Sequence, residues 1–131
     1  MSETKEKEIL DPEKEYYILV PKNQLAMEKM YQYDIYDENG ISDNFYCMIF
    51  HEDTFNYMEK RLFDFINVRC NLLINMYEEE IAEKEQLQCV LAVTDMLISN
   101  SEDERFLKFA SDFREMVTLA IESNTNMGFY F

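Results

Sequence analysis

The residues best suited to chemistry by type and spacing are Glu79-Glu80-Ile81-Ala82-Glu83. On a helix, Glu79, Glu80 and Glu83 project within one turn and can share a hard cation, since Mg²⁺ prefers oxygen ligands. The plainer reading is a solvated helix end, because Glu runs arise readily in a chain with 27 acidic residues. Cys47 and His51 stand at i and i+4, where a nucleophile and its base face each other on a helix. No recognisable orienting or oxyanion element accompanies them, and His51 sits in no context that suggests a Ser-His-Asp triad. One histidine and three cysteines without a CxxC pair provide neither a zinc set nor the Glu-x-x-His pairs of a di-iron bundle. Two glycines cannot build a P-loop or a dinucleotide loop, and the EF-hand pattern is absent. Cys47, Cys70 and Cys89 therefore read as small apolar core residues in a reducing compartment. The expectation is no catalytic residue and no cofactor, with Mg²⁺ on Glu79, Glu80 and Glu83 as the alternative.

Charge carries more information than any motif. The 131 residues hold 27 Asp and Glu against 12 Lys and Arg, a net charge of −15. Such a chain repels nucleic-acid phosphates and anionic membrane surfaces, which leaves a basic protein as the charged partner that remains open. The excess is uneven. Between Lys29 and Lys60 lie seven carboxylates, no Lys or Arg, and five of the nine tyrosines: Tyr31, Tyr33, Tyr36, Tyr46 and Tyr57. From Cys70 to Glu104 nine more acids face the single cation Lys84. The final predicted helix, with Arg105, Lys108 and Arg114, is close to balanced. Tyrosine supplies large contact area at low entropy cost, and dense carboxylates steer a cationic partner. The expected partner-binding residues are Tyr33, Asp34, Tyr36, Asp37, Glu38 and Asp43, with Glu78, Glu79 and Glu80 as a second patch. The competing reading is a solvated acidic face over core tyrosines with wet hydroxyls.

The elements that must position these groups read as mainly helical. Residues 1–10 suggest a solvated, flexible tail, and residues 11–131 a single helical domain. Tyr16 to Val20, ended by Pro21, suits an edge strand or extended lead-in. A short helix follows over about 22–33, then a turn at Asp37-Glu38-Asn39-Gly40. Phe45 to Phe50 is apolar throughout, so a hairpin across Asn39-Gly40 is the runner-up for this region. Asp53 or Thr54 can cap a central helix with one apolar stripe from Phe55 to Met76 and another from Phe63 to Ile81. Leu87 to Ile98 forms the next helix. Ser101 and Glu104 make a capping box for the last one, whose apolar positions run from Phe106 to Ile121. Asn124 to Gly128 stops that helix, and Phe129-Tyr130-Phe131 packs back on the body. Short connections then predict an antiparallel bundle of about four to five helices, with a possible strand or hairpin before residue 51. No stretch reaches the roughly 18 uncharged apolar residues of a membrane span, and Met1 to Leu10 lacks a signal-peptide core. The expected compartment is the cytoplasm.

Two resemblances attach to these residues. A small acidic domain bearing Tyr33-Asp34-Ile35-Tyr36-Asp37-Glu38 resembles the immunity proteins of bacterial contact-dependent and other polymorphic toxin systems. That resemblance implies one-to-one, non-catalytic neutralisation of a cognate toxin, here a basic, nuclease-like domain. The Glu79–Glu83 run is similar to the EExxE element of the all-α nucleoside-triphosphate pyrophosphatases, which bind Mg²⁺. That family also carries ExxD on a following helix. Here the nearest run is the reversed Asp112-Phe113-Arg114-Glu115, and Lys84 or Arg105 would be left to meet the triphosphate.

Overall fold

Alternating aromatic and branched residues make β1 (Glu15–Pro21) an interior strand. A computed structural model describes residues 14–131, so the tail expected over 1–10 lies outside the described residues. Tyr16, Ile18 and Val20 point to one face of β1 and join the larger hydrophobic cluster, while Leu19 joins a smaller cluster on the other face. Pro21 sits at the last paired position, opposite Phe45, where its missing N–H interrupts nothing further along the strand. Asn23 caps α1 (Gln24–Tyr31), its side chain accepting from the Ala26 amide at 2.9 Å. The turn read at 37–40 closes a small separate hairpin, β2 (Tyr36–Asp37) with β3 (Gly40–Ile41). Gly40 has φ +116°, a conformation that only glycine adopts without strain. The apolar run that periodicity left ambiguous is β4 (Phe45–His51), paired antiparallel along the whole of β1.

The central helix begins ahead of the expected Asp53 or Thr54 cap, with His51 at its N-cap and no side-chain cap, and it ends early. It runs through α2 (Glu52–Met58), a π-helical turn (Glu59–Phe63) and α3 (Asp64–Cys70). The wide turn adds a residue to the helical repeat, so the neighbours Leu62 and Phe63 are both buried. This merges the two predicted stripes, with Phe55, Met58, Leu62, Phe63, Ile66 and Cys70 all inside. Phe65 and Leu73, expected on the apolar face, are exposed. Asn71 closes the helix in the left-handed conformation at φ 59°. The Asn67 side chain then bonds both backbone groups of Ile74, at 2.8 and 2.9 Å, and ties down the extended segment that follows.

That segment leads into β5 (Glu79–Ala82), then α4 (Lys84–Ser99), α5 (Glu104–Ser123) and β6 (Met127–Tyr130). The last two helices match the sequence periodicity. The expected Ser101/Glu104 capping box is replaced by Asp103, whose carboxylate accepts from the amides of Arg105 and Phe106. A capping box does form at α4, between Glu83 and Gln86. The terminal aromatics belong to the sheet, whose order is β4-β1-β6-β5, every neighbour antiparallel.

The antiparallel helical bundle is therefore overturned. This is an α/β fold in which helices cover one face of a four-stranded antiparallel sheet. β1 is interior, with β4 and β6 on either side of it, and β4 and β5 form the edges. The larger cluster is phenylalanine-rich: Phe50 meets Phe109 at 5.0 Å between ring centres, and Phe63 meets Phe131 at 5.5 Å. On the other face α1 covers Leu19 and part of Tyr130 through Ala26 and Met30. No helix among the described residues is long and apolar enough to cross a membrane.

A tyrosine-walled concavity on the outer face of the sheet

The register of the sheet lines up one row of side chains on its outer face. Ile49 of β4 is opposite Tyr17 of β1, Tyr17 is opposite Tyr130 of β6, and Tyr130 is opposite Glu79 of β5. Two segments wall this row. Beyond α1, Tyr33 packs on Tyr130 with ring centres 6.0 Å apart and meets Tyr36 edge-on at 6.3 Å. Ahead of β5, Tyr77 stands beside Glu78. Together these groups enclose a concavity of about 330 Å³ that also takes in Lys14, Glu15 and Phe131. A second space of about 330 Å³ adjoins it, sharing Tyr33, Glu79 and Tyr130 and reaching Tyr31, Glu80 and Glu83.

Local backbone conformation presents two of the tyrosines. Tyr33 has φ 56° and Tyr77 has φ 66°, the left-handed region that costs a bulky L-residue roughly 1–2 kcal/mol. The hydrogen bonds at the end of α1 hold Tyr33 there: its amide donates to Met30 O at 3.0 Å, and the Asp34 amide to Lys29 O at 2.8 Å. The Tyr77 amide donates to Phe131 O at 2.9 Å, which fastens that turn to the end of β6.

Tyr17 and Tyr130 hold their protons more tightly than a free phenol. Burial, then the hydrogen bond to Glu15, pushes Tyr17 up to about 12. Burial also raises Tyr130 well above the ordinary tyrosine range, and Glu79, Tyr33 and Tyr36 add to it. Tyr130 is only 9% exposed, and its hydroxyl is buried without a hydrogen-bond partner. Gly128 makes room for that ring, since a Cβ there would stand 2.7 Å from Tyr130 Cε2. Lys14 supplies a cation at one wall: its Nζ donates to Phe131 O at 2.6 Å and lies 4.3 Å from the centre of the Tyr77 ring.

The structure brings together four of the residues expected to bind a partner: Tyr33, Tyr36, Glu78 and Glu79. Glu80 lines the adjoining space, and its carboxylate accepts from the Leu73 amide at 2.7 Å. Asp34 lies 3.8 Å from Lys29, and Asp37 accepts from the Asn39 amide at 2.8 Å to shape the hairpin turn. Glu38 and Asp43 are exposed and line neither space. Tyr46 and Tyr57 go to the helical side, where Tyr57 lies against Arg61 and Arg105 and bonds Asp103. Sequence reasoning missed Lys14, Glu15, Tyr17, Tyr77 and Tyr130. The readable signal was the alternation in β1, which sends Tyr17 opposite to Tyr16 and Ile18.

The helical premise of the Mg²⁺ alternative is also overturned. Glu79, Glu80 and Glu83 do not lie in one helical turn, because β5 sends Glu79 and Glu80 to opposite faces. Glu83 is engaged in capping α4 and in accepting the Tyr31 hydroxyl. Among the described residues no group of three or more His, Cys, Asp or Glu could hold a metal ion. Cys47 and His51 lie on β4, where four residues span roughly 13 Å, too far for a nucleophile–base contact. No family model, curated protein or solved structure matches the chain.

Proposed function

We propose that the protein is a non-catalytic acidic inhibitor, resembling an immunity protein, that binds and neutralises a basic, nuclease-like toxin domain in the cytoplasm. One observation carries the reading. Two acid- and tyrosine-bearing segments far apart in sequence, Tyr33 to Tyr36 and Tyr77 to Glu79, line a single exposed concavity. Aromatic anchors set among carboxylates suit a cationic protein surface, the carboxylates speeding encounter and the rings prolonging the complex. Asp34 and Asp37, next in sequence to the lining residues Tyr33 and Tyr36, add negative charge to that segment.

The test asks whether a reading frame next to this gene encodes a basic C-terminal domain, and uses that domain. Co-expression of the wild-type chain should restore growth to cells producing that domain, and the two should bind one to one. Glu78→Lys with Glu79→Lys should slow association about tenfold or more at low salt and flatten its salt dependence. Reversing Asp34, Asp37 and Glu38 should act in the same sense, more weakly. A neighbouring domain that is neither toxic nor bound, or association unchanged in both variants, overturns the reading.

A further inference from the structure

We infer that the concavity is a receptor for one arginine side chain of the basic partner, its guanidinium stacked on tyrosine rings and facing Glu78 and Glu79. This inference rests on the inhibitor reading for the partner's identity, and on the geometry of the concavity for the ligand. Tyr33, Tyr36, Tyr77 and Tyr130 approach the space from three different segments, and the negative faces of phenol rings attract a cation. The chain already demonstrates that chemistry with its own Lys14, whose ammonium rests over Tyr77. Lys14 is committed to that ring and to Phe131 O, and the lining carboxylates Glu15, Glu78 and Glu79 outnumber it.

Shape decides between the two cations that a protein offers. Guanidinium is planar, stacks on aromatic rings and carries donors in several directions. It can therefore lie on the exposed Tyr33 or Tyr36 ring and meet a lining carboxylate at once. An ammonium is more strongly hydrated and does not stack.

The experiment titrates the full chain with a capped Gly-Arg-Gly tripeptide, following tyrosine resonances by NMR. Controls are the same peptide with lysine or with citrulline, the neutral isostere of arginine, in place of arginine. The arginine peptide should bind roughly tenfold more tightly than the citrulline peptide and several-fold more tightly than the lysine peptide. Tyr36→Ala should abolish most of the difference between arginine and citrulline. Glu78→Gln with Glu79→Gln, which leaves the rings in place, should weaken arginine binding about three- to tenfold. Citrulline binding equal to arginine, or arginine binding unchanged in both variants, overturns the inference. The two proposals fail separately. A toxin domain bound with no arginine selectivity leaves the inhibitor reading standing and removes this one. Arginine selectivity with no toxin bound and neutralised does the reverse.

Discussion

Within four residues β6 faces two different environments. Phe129 and Phe131 enter the cluster beneath the helices, whereas Gly128 and Tyr130 lie on the opposite face of the sheet. The helical side is closed, and its rings are mostly phenylalanine packed edge-on or stacked at 5.0–6.5 Å. The outer side is only half covered by α1 and the small hairpin, and its rings are tyrosine. Phenylalanine gains most where water is excluded, and tyrosine fits where one end of the ring stays wet or awaits a polar partner. The difference separates the closed part of the molecule that holds the fold from the half-open part to which binding is assigned by proposal.

The largest expected effect breaks the closed side alone. Phe63 is fully buried and meets Phe50, Phe55, Phe109, Phe113, Phe129 and Phe131. Phe63→Ala should cost about 3–5 kcal/mol, read as a lower urea midpoint. Tyr36, 49% exposed, should lose less than about 1 kcal/mol on conversion to alanine. Equal losses would mean that the two sides are not energetically distinct.

The same contrast explains what could be read from the sequence. Closed-side helices announce themselves: α5 buries Phe106, Phe109, Phe113, Met116, Val117 and Ala120, at helical spacing. β6 does not, because Met127 to Tyr130 is buried on both faces and shows no alternation. β5 was hidden because Ile74, Tyr77 and Ile81 happen to continue the stripe of the preceding helix, although Asn71 is a residue type that tolerates the left-handed break. Tyr33, Tyr36, Glu78 and Glu79 were legible from residue type and charge. Their convergence was not, since it depends on the β1–β6–β5 register and on two tyrosines at positive φ, neither of which has a local sequence signature.

Gly128→Ala tests where the two sides touch. The added methyl would meet Tyr130 Cε2 at 2.7 Å and Met30 Cε at 3.2 Å. The ring must swing outward, so the expected loss is about 1–3 kcal/mol together with weakened binding of the arginine peptide. A variant that is destabilised yet binds the peptide normally would show that Tyr130 does not shape the concavity.

Alkaline pH separates the sides without changing a core residue. An unfolded tyrosine ionises near pH 10, while burial and the Glu15 hydrogen bond hold folded Tyr17 up to about 12. The folded pKa is raised, so the unfolded chain holds fewer protons in this window. The stability from this group is complete below pH 10 and is lost as pH rises toward 12. Urea midpoints should therefore fall between pH 10 and 11.5, and Tyr17→Phe should make that fall shallower. An equal fall in both proteins would exclude Tyr17 as a contributor.

Tyr130→Phe has the smallest effect on stability and is the most discriminating. A buried hydroxyl that serves the fold loses a hydrogen bond on removal, which costs about 0.5–1.5 kcal/mol. The Tyr130 hydroxyl has no such bond to lose, and its ring contacts survive the change. Stability should stay level or rise by up to about 1 kcal/mol, with affinity for the arginine peptide unchanged, because the hydroxyl has no surface open to the concavity. If stability falls, the hydroxyl serves the fold, and the outer face differs from the closed one only in its solvation.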